Sequence, residues 1–152
     1  MPSDSQPSEP PLPNIRVLAQ YAKSVSFDSK DGVQAAGLPG QPNIELGIDV
    51  GATAVQGGPH TYETNIKLMA RAHVQDETIF EIELVYAGIF DVSGAPEAHV
   101  EPILMIECPR LLFPFARRVI ADITREGGFP PLLIDPVDFA GLYNEQVNQA
   151  SS

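Results

Sequence analysis

Thr78-Ile-Phe-Glu-Ile-Glu-Leu-Val-Tyr-Ala-Gly-Ile-Phe90 reads as a β-strand whose apolar and acidic residues take opposite faces. Phe80, Ile82, Leu84 and Tyr86 recur at every second position, and Glu81 and Glu83 fall between them. Side chains alternate across a strand, so a period of two gives one apolar face and one anionic face. The anionic side belongs to a wider window. From Ala72 to Pro109 the chain runs thirty-eight residues without a Lys or Arg, while Asp76, Glu77, Glu81, Glu83, Asp91, Glu97, Glu101 and Glu107 supply eight carboxylates. Most of the formal charge of −11 is thus concentrated in a quarter of the chain, and a basic partner is its natural complement.

On the N-terminal side, Tyr62, Thr64, Ile66, Leu68, Ala70 and Ala72 alternate with Thr61, Glu63, Asn65, Lys67, Met69 and Arg71. A turn at Gln75-Asp76-Glu77 joins this strand to the acidic one. Ile44, Leu46, Ile48 and Val50 alternate with Glu45, Gly47 and Asp49 as a half-buried strand. A first strand is predicted over Ile15–Phe27, with Ile15, Val17, Ala19, Tyr21, Val25 and Phe27 on one face and Arg16, Gln20, Ser24 and Ser26 on the other. The stretches 37–42 and 57–59 are Gly- and Pro-rich loops. Four strands joined by short loops imply an antiparallel sheet covered on one face.

Helices follow. Leu112, Phe115, Ala116, Val119 and Ile123 share a stripe at helical spacing, which predicts a helix over 111–126. Cys108 and Pro109 fall in the loop before it, Pro114 suits its first turn, and Gly127 suits the left-handed position past its end. Arg117, Arg118 and Arg125 make the opposite side basic. A second helix is predicted from Asp135 as N-cap, with Pro136 at the first helical position, Asp138 at the third, and Phe139, Leu142 and Tyr143 as its apolar stripe. The fold class is α+β: a four-stranded antiparallel sheet followed by two helices. Residues 1–13 hold five prolines and no packable face, and read as a disordered arm. Residues 14–147 form one domain, and the polar residues 148–152 a frayed tail.

Composition excludes several functions. The 152 residues suit a single domain with a real core, and 43% hydrophobic against 19% charged residues is globular. Nine basic against twenty acidic residues disfavour nucleic acid and anionic membrane surfaces. No apolar run approaches the roughly 20 residues of a membrane span. The segment Met1–Pro13 lacks the basic and hydrophobic parts of a signal peptide. A lone Cys108 has no partner for an internal disulfide, so a reducing, cytoplasmic setting is expected.

The chemical candidates are few. Glu81 and Glu83 lie two apart on one strand face, roughly 7 Å, which is within the spacing of an inverting acid/base pair. The alternatives are a binding surface, or a solvated face paired across the hairpin with Met69 and either Arg71 or Lys67. His60, His73 and His99 are too scattered for a metal site, the glycine clusters lack phosphate-loop context, and no nucleophile motif is present. Cys108 reads as an inert buried thiol. The aromatics Phe27, Phe80, Phe139 and Tyr143 exceed what one small sheet and two helices can enclose, so part of this apolar surface is expected to form a groove or an oligomer contact.

Three segments resemble the SecB family of bacterial protein-export chaperones: 21–28, the acidic strand 78–90, and the run Cys108-Pro-Arg-Leu-Leu-Phe-Pro-Phe-Ala-Arg117 with its continuation through Phe129-Pro-Pro-Leu to Phe139. The resemblance spans about residues 14–147, and the Cys-Pro-x-x-Leu-Phe-Pro-aromatic-Ala-Arg motif is highly specific. It implies a homotetramer, a dimer of dimers with sheets paired edge to edge and helix 111–126 between the dimers. It implies an ATP-independent, non-enzymatic chaperone without cofactor that holds preproteins unfolded and passes them to the SecA motor, with no insertion into the membrane. Two acidic SecA-facing family positions fall on Asp28 and Glu83. A third falls on Ser24, and Glu81 adds a charge where the family is apolar. Phe80 and Tyr143 match client-groove positions, with Phe27 and Phe139 as further aromatic candidates. A tryptophan of better-known members is replaced by Gly40. The alternative within this fold is a chaperone dedicated to one client, such as an antitoxin.

Overall fold

The computed structural model describes residues 15–29 and 42–150. The arm expected over 1–13 and Gly40 lie outside them. Four strands, β1 (Arg16–Ser29), β2 (Asn43–Ala54), β3 (Thr61–Val74) and β4 (Glu77–Asp91), form one antiparallel sheet in the order β1-β4-β3-β2. The acidic strand β4 is therefore internal, and β1 and β2 are the edges. The β3–β4 hairpin turns on Gln75 and Asp76, with φ of +50° and +68°. Positive φ at both positions of a two-residue turn matches the twist of the flanking strands. Ile66, Leu68, Ala70 and Ala72 of β3 and Ile82, Leu84 and Phe90 of β4 are buried on one face, as alternation requires.

Strand β1 departs from simple alternation. Irregularities between Val17 and Ala19 and between Ala22 and Ser24 each shift its register against β4. An extra residue at a bulge moves the following side chains to the other face. Val25 and Phe27 consequently lie opposite Leu84 and Ile82 on the core side, while Tyr21 lies opposite Ala87 and reaches Glu63 on the outer face.

Under the sheet the chain is helical from Glu97 to Glu126: α1 (Glu97–Pro102), a π turn (Ile103–Glu107) and α2 (Cys108–Glu126). Cys108 thus opens a helix instead of occupying a loop, and Pro114 lies inside α2 instead of in its first turn. In the π turn the Cys108 amide donates to the Ile103 carbonyl, five residues back. The next amide in that pattern belongs to Pro109, which has none. The Leu104 carbonyl receives the buried Thr64 hydroxyl of β3 instead, at 3.0 Å.

The core face of α2 is Cys108, Leu112, Phe113, Ala116, Ile120 and Thr124. The expected stripe is therefore rotated, and Phe115 turns outward. Gly88 explains the docking of the 112 row, because a Cβ there would come within 2.8 Å of Leu112. At the end of α2 the left-handed residue is Gly128 (φ +92°), not Gly127 (φ −77°). The amides of Gly128 and Phe129 donate to the Arg125 and Thr124 carbonyls at 3.0 and 3.1 Å, a paired Schellman cap. Helix α3 (Phe139–Ala150) starts later than the expected Asp135, with Asp138 as the cap: its carboxylate accepts the Gly141 amide at 3.0 Å. The irregular segment before it lets Leu132, Ile134 and Val137 reach the core. The helix also takes in residues 148–150, which composition alone assigns to the tail.

Candidate functional site

An aromatic cluster occupies one end of the sheet. Phe27 of β1, Phe80 of β4 and Phe129 beyond α2 meet with ring centroids 4.8–6.4 Å apart, in tilted and edge-on contacts. Phe80 and Phe129 border an open groove of about 310 Å³ lined by Pro42, Ile44, Phe80, Phe129, Pro130 and Leu132, with Pro131. Its Pro-rich wall is fixed to α2 by the paired cap and by the Leu132 amide, which donates to Thr124 Oγ1 at 2.9 Å. Thr124 in turn donates to the Ile120 carbonyl at 3.0 Å. Among the described residues no lining side chain is charged, so these residues offer shape and apolar contact. Its volume is at the small end for ligand pockets, which suits side chains of an extended polypeptide.

The four aromatic candidates separate. Phe80 is a core residue, 3% exposed, that also lines the groove, and Phe27 packs against its ring without lining it. Phe139 is 2% exposed and packs edge-on against Phe113 at 5.8 Å, so in this chain it belongs to the core and not to the groove. Tyr143 lies on α3, which packs on the π turn, beside Glu101 of α1. Burial and the Glu101 carboxylate push its phenol above the ordinary range. Glu101 also borders a second depression with Tyr62, Val100, Leu104 and Met105 at the other end of the sheet from Phe80. Sequence reasoning missed Phe129. Its signal was available: an apolar residue directly after a glycine-capped helix commonly packs back on the structure.

The helices pack on the core face, and among the described residues no element covers the other face of the sheet. There Glu81 lies opposite Arg71 on β3 and Asp28 on β1, while Glu83 lies opposite Met69. Arg71 Nε is 2.7 Å from Glu81 Oε1, and Lys67 Nζ is 3.1 Å from Glu83 Oε1. Each carboxylate therefore has a cation on an open surface, which is the cross-strand alternative and not an enclosed acid/base pair. Further along, Tyr21 donates to Glu63 Oε1 at 2.7 Å, and Lys23 Nζ is 3.0 Å from Glu63 Oε2. The Tyr21 bond, helped by Lys23, holds the Glu63 carboxyl below its ordinary range and raises the Tyr21 phenol. Burial pushes the Cys108 thiol up to about 12, which keeps it neutral and unreactive. Among the described residues no group of three His, Cys, Asp or Glu is placed to hold a metal, and no helix is long and apolar enough to cross a membrane.

The model of the family SecB, preprotein translocase subunit SecB, matches residues 8–150. The chain is 53% identical over 146 residues to a protein-export protein SecB of Hyphomonas neptunium, covering 96% of this chain and 85% of that one. It is 48% identical over 139 residues to the SecB of Parvibaculum lavamentivorans, covering 91% and 82%. Among solved structures, a SecB-like chaperone of Mycobacterium tuberculosis in complex with a ChAD peptide from the HigA1 antitoxin shares the fold, with a TM-score of 0.65 at 14% identity over 81% of this chain and 90% of that one.

Proposed function

The chain belongs to the SecB family of protein-export chaperones, and from that premise we propose that it holds preproteins unfolded in the cytoplasm without ATP and delivers them to SecA. The observation that carries this reading is the two-sidedness of β4. Phe80 lines a groove whose described residues are apolar, and on the reverse Glu81 and Glu83, each beside a basic residue of β3, share one face with Asp28. The first surface suits unfolded chain of varied sequence. The second suits a cationic segment of SecA, approached with a salt-sensitive rate.

The assembly we propose is a homotetramer, a dimer of dimers. Two apolar surfaces support it. Edge strand β1 exposes Val17, Leu18 and Val25, and α2 exposes Leu111 and Phe115 beside Arg117 and Arg118. An uncovered edge and an uncovered apolar helix face are both surfaces that pairing protects.

Titration with purified SecA at low salt tests the docking face. Asp28→Lys combined with Glu83→Lys weakens binding by about tenfold or more, since each reverses a charge on that face; unchanged affinity means that SecA docks elsewhere. Phe80→Ala weakens retention of an unfolded precursor through the groove, with Tyr143→Ala testing the second region. A chaperone dedicated to one client remains the alternative reading. Recovery of many unrelated precursors from cells supports export, and recovery of one small client alone replaces it.

A further inference from the structure

We infer that Arg71 and Lys67 are resident counter-cations that occupy the outer-face carboxylates and thereby weaken docking of the partner's cationic segment. The inference rests on reading that face as the SecA surface, and it assigns the two basic residues the task of setting affinity and salt response.

The row through Arg71 runs Glu45 on β2, Arg71 on β3, Glu81 on β4 and Asp28 on β1. It carries three carboxylates and one cation. Asp28 and Glu81 are like charges directly opposite each other, an arrangement that weakens a sheet. Arg71 relieves it: Nε lies 2.7 Å from Glu81, and Nη1 lies 4.0 Å from Glu45. On the same strand, Lys67 lies opposite Asp49 and Val85 and reaches Glu83 at 3.1 Å. Between the two cations, Met69 is 47% exposed above Gly47, in a depression bounded by Glu45 and Arg71. An incoming basic segment meets an apolar seat flanked by carboxylates that already hold cations.

These pairs are open to water, with the Arg71 side chain 51% and the Lys67 side chain 47% exposed. Exposed ion pairs are weak, so a partner's Lys or Arg exchanges with them easily. Each resident cation nevertheless competes for its carboxylate and repels the newcomer at short range. Neutralising either one adds a full negative charge to the surface without touching the groove on the other face.

The test measures the affinity of the whole chain for purified SecA at low and high salt, for the wild type and for Arg71→Gln, Lys67→Gln and Arg71→Lys. Each Gln variant is expected to bind about three- to tenfold more tightly at low salt, with the gain shrinking as salt screens the surface. Arg71→Lys stays near the wild type because it keeps the charge, an outcome that a merely structural role for the guanidinium does not give. Gln variants that bind equally or more weakly overturn the inference; the docking reading survives if the wild type still binds and Asp28→Lys with Glu83→Lys does not. Failure of the wild type to bind, or tight binding by the Lys pair, overturns both.

Discussion

Gly127 has no room for a side chain, because the ring of Phe27 lies where its Cβ would stand. That ring is wedged between Phe80 and Phe129, so it cannot swing clear. Gly127→Ala is expected to cost about 1–3 kcal/mol in urea denaturation, the usual range for overpacking. Adding Phe27→Leu frees space, so the double variant loses less than the sum of the two singles. The glycine pair was legible as a helix stop, but which glycine turns left-handed was not, since the choice depends on a ring contributed by β1. Glu63 makes a second prediction at this scale. Its carboxyl is held low in the fold, so its stabilisation is present above the unfolded value near 4.5 and is lost as pH falls through the folded value. Glu63→Gln therefore flattens the acid limb of a stability–pH curve and removes about 1 kcal/mol at neutral pH, where Tyr21 and Lys23 lose their anionic partner. An unaltered acid limb contradicts the assignment.

At the scale of elements, the hydroxyl of Thr64 joins β3 to the π turn by filling a carbonyl that proline leaves short of a donor. Thr64→Val keeps the shape and strands that carbonyl in the core, at an expected cost of about 1–3 kcal/mol by thermal or chemical unfolding, whereas Thr64→Ser retains most of the bond. Equal stability of the two variants would remove the hydroxyl from this role. The same junction shows where pattern reading stops. The strands β2, β3 and β4 were legible because a period of two survives in edge and internal strands alike. The helical run 97–126 was legible only from 111, with Cys108 and Pro109 read as a loop and Pro114 as part of the first turn. In the fold one proline follows the π turn and another faces solvent, so neither ends the helix. The bulges of β1 left no compositional mark, which is why Tyr21 was assigned to the wrong face. Asp138 outcompeted Asp135 as cap because the intervening residues pack Ile134 and Val137 on the core.

For the molecule as a whole, the sheet separates two chemistries that the acidic strand already carries in its alternation. The acidic side was legible as a face, with its partners on β3 narrowed to Met69 and either Arg71 or Lys67, and the register decides between them; of the groove only Phe80 was legible, because its other wall is built by a loop after α2. The proposed assembly rests on the apolar residues that the described parts of β1 and α2 expose. Native mass measurement is expected to give about four times the 16.4 kDa of a single chain, and Phe115→Asp is expected to shift it toward half that by burying a charge between dimers. A stable monomer at micromolar concentration contradicts the proposed interfaces. The central claim is that the groove holds unfolded chain, and the most direct measurement is the refolding rate of a denatured precursor diluted into a stoichiometric amount of this protein without nucleotide. Strongly slowed refolding is expected, largely restored to the free rate by Phe80→Ala with Phe129→Ala in a variant that keeps its assembly. Refolding at the free rate in the presence of the wild-type protein would contradict the claim.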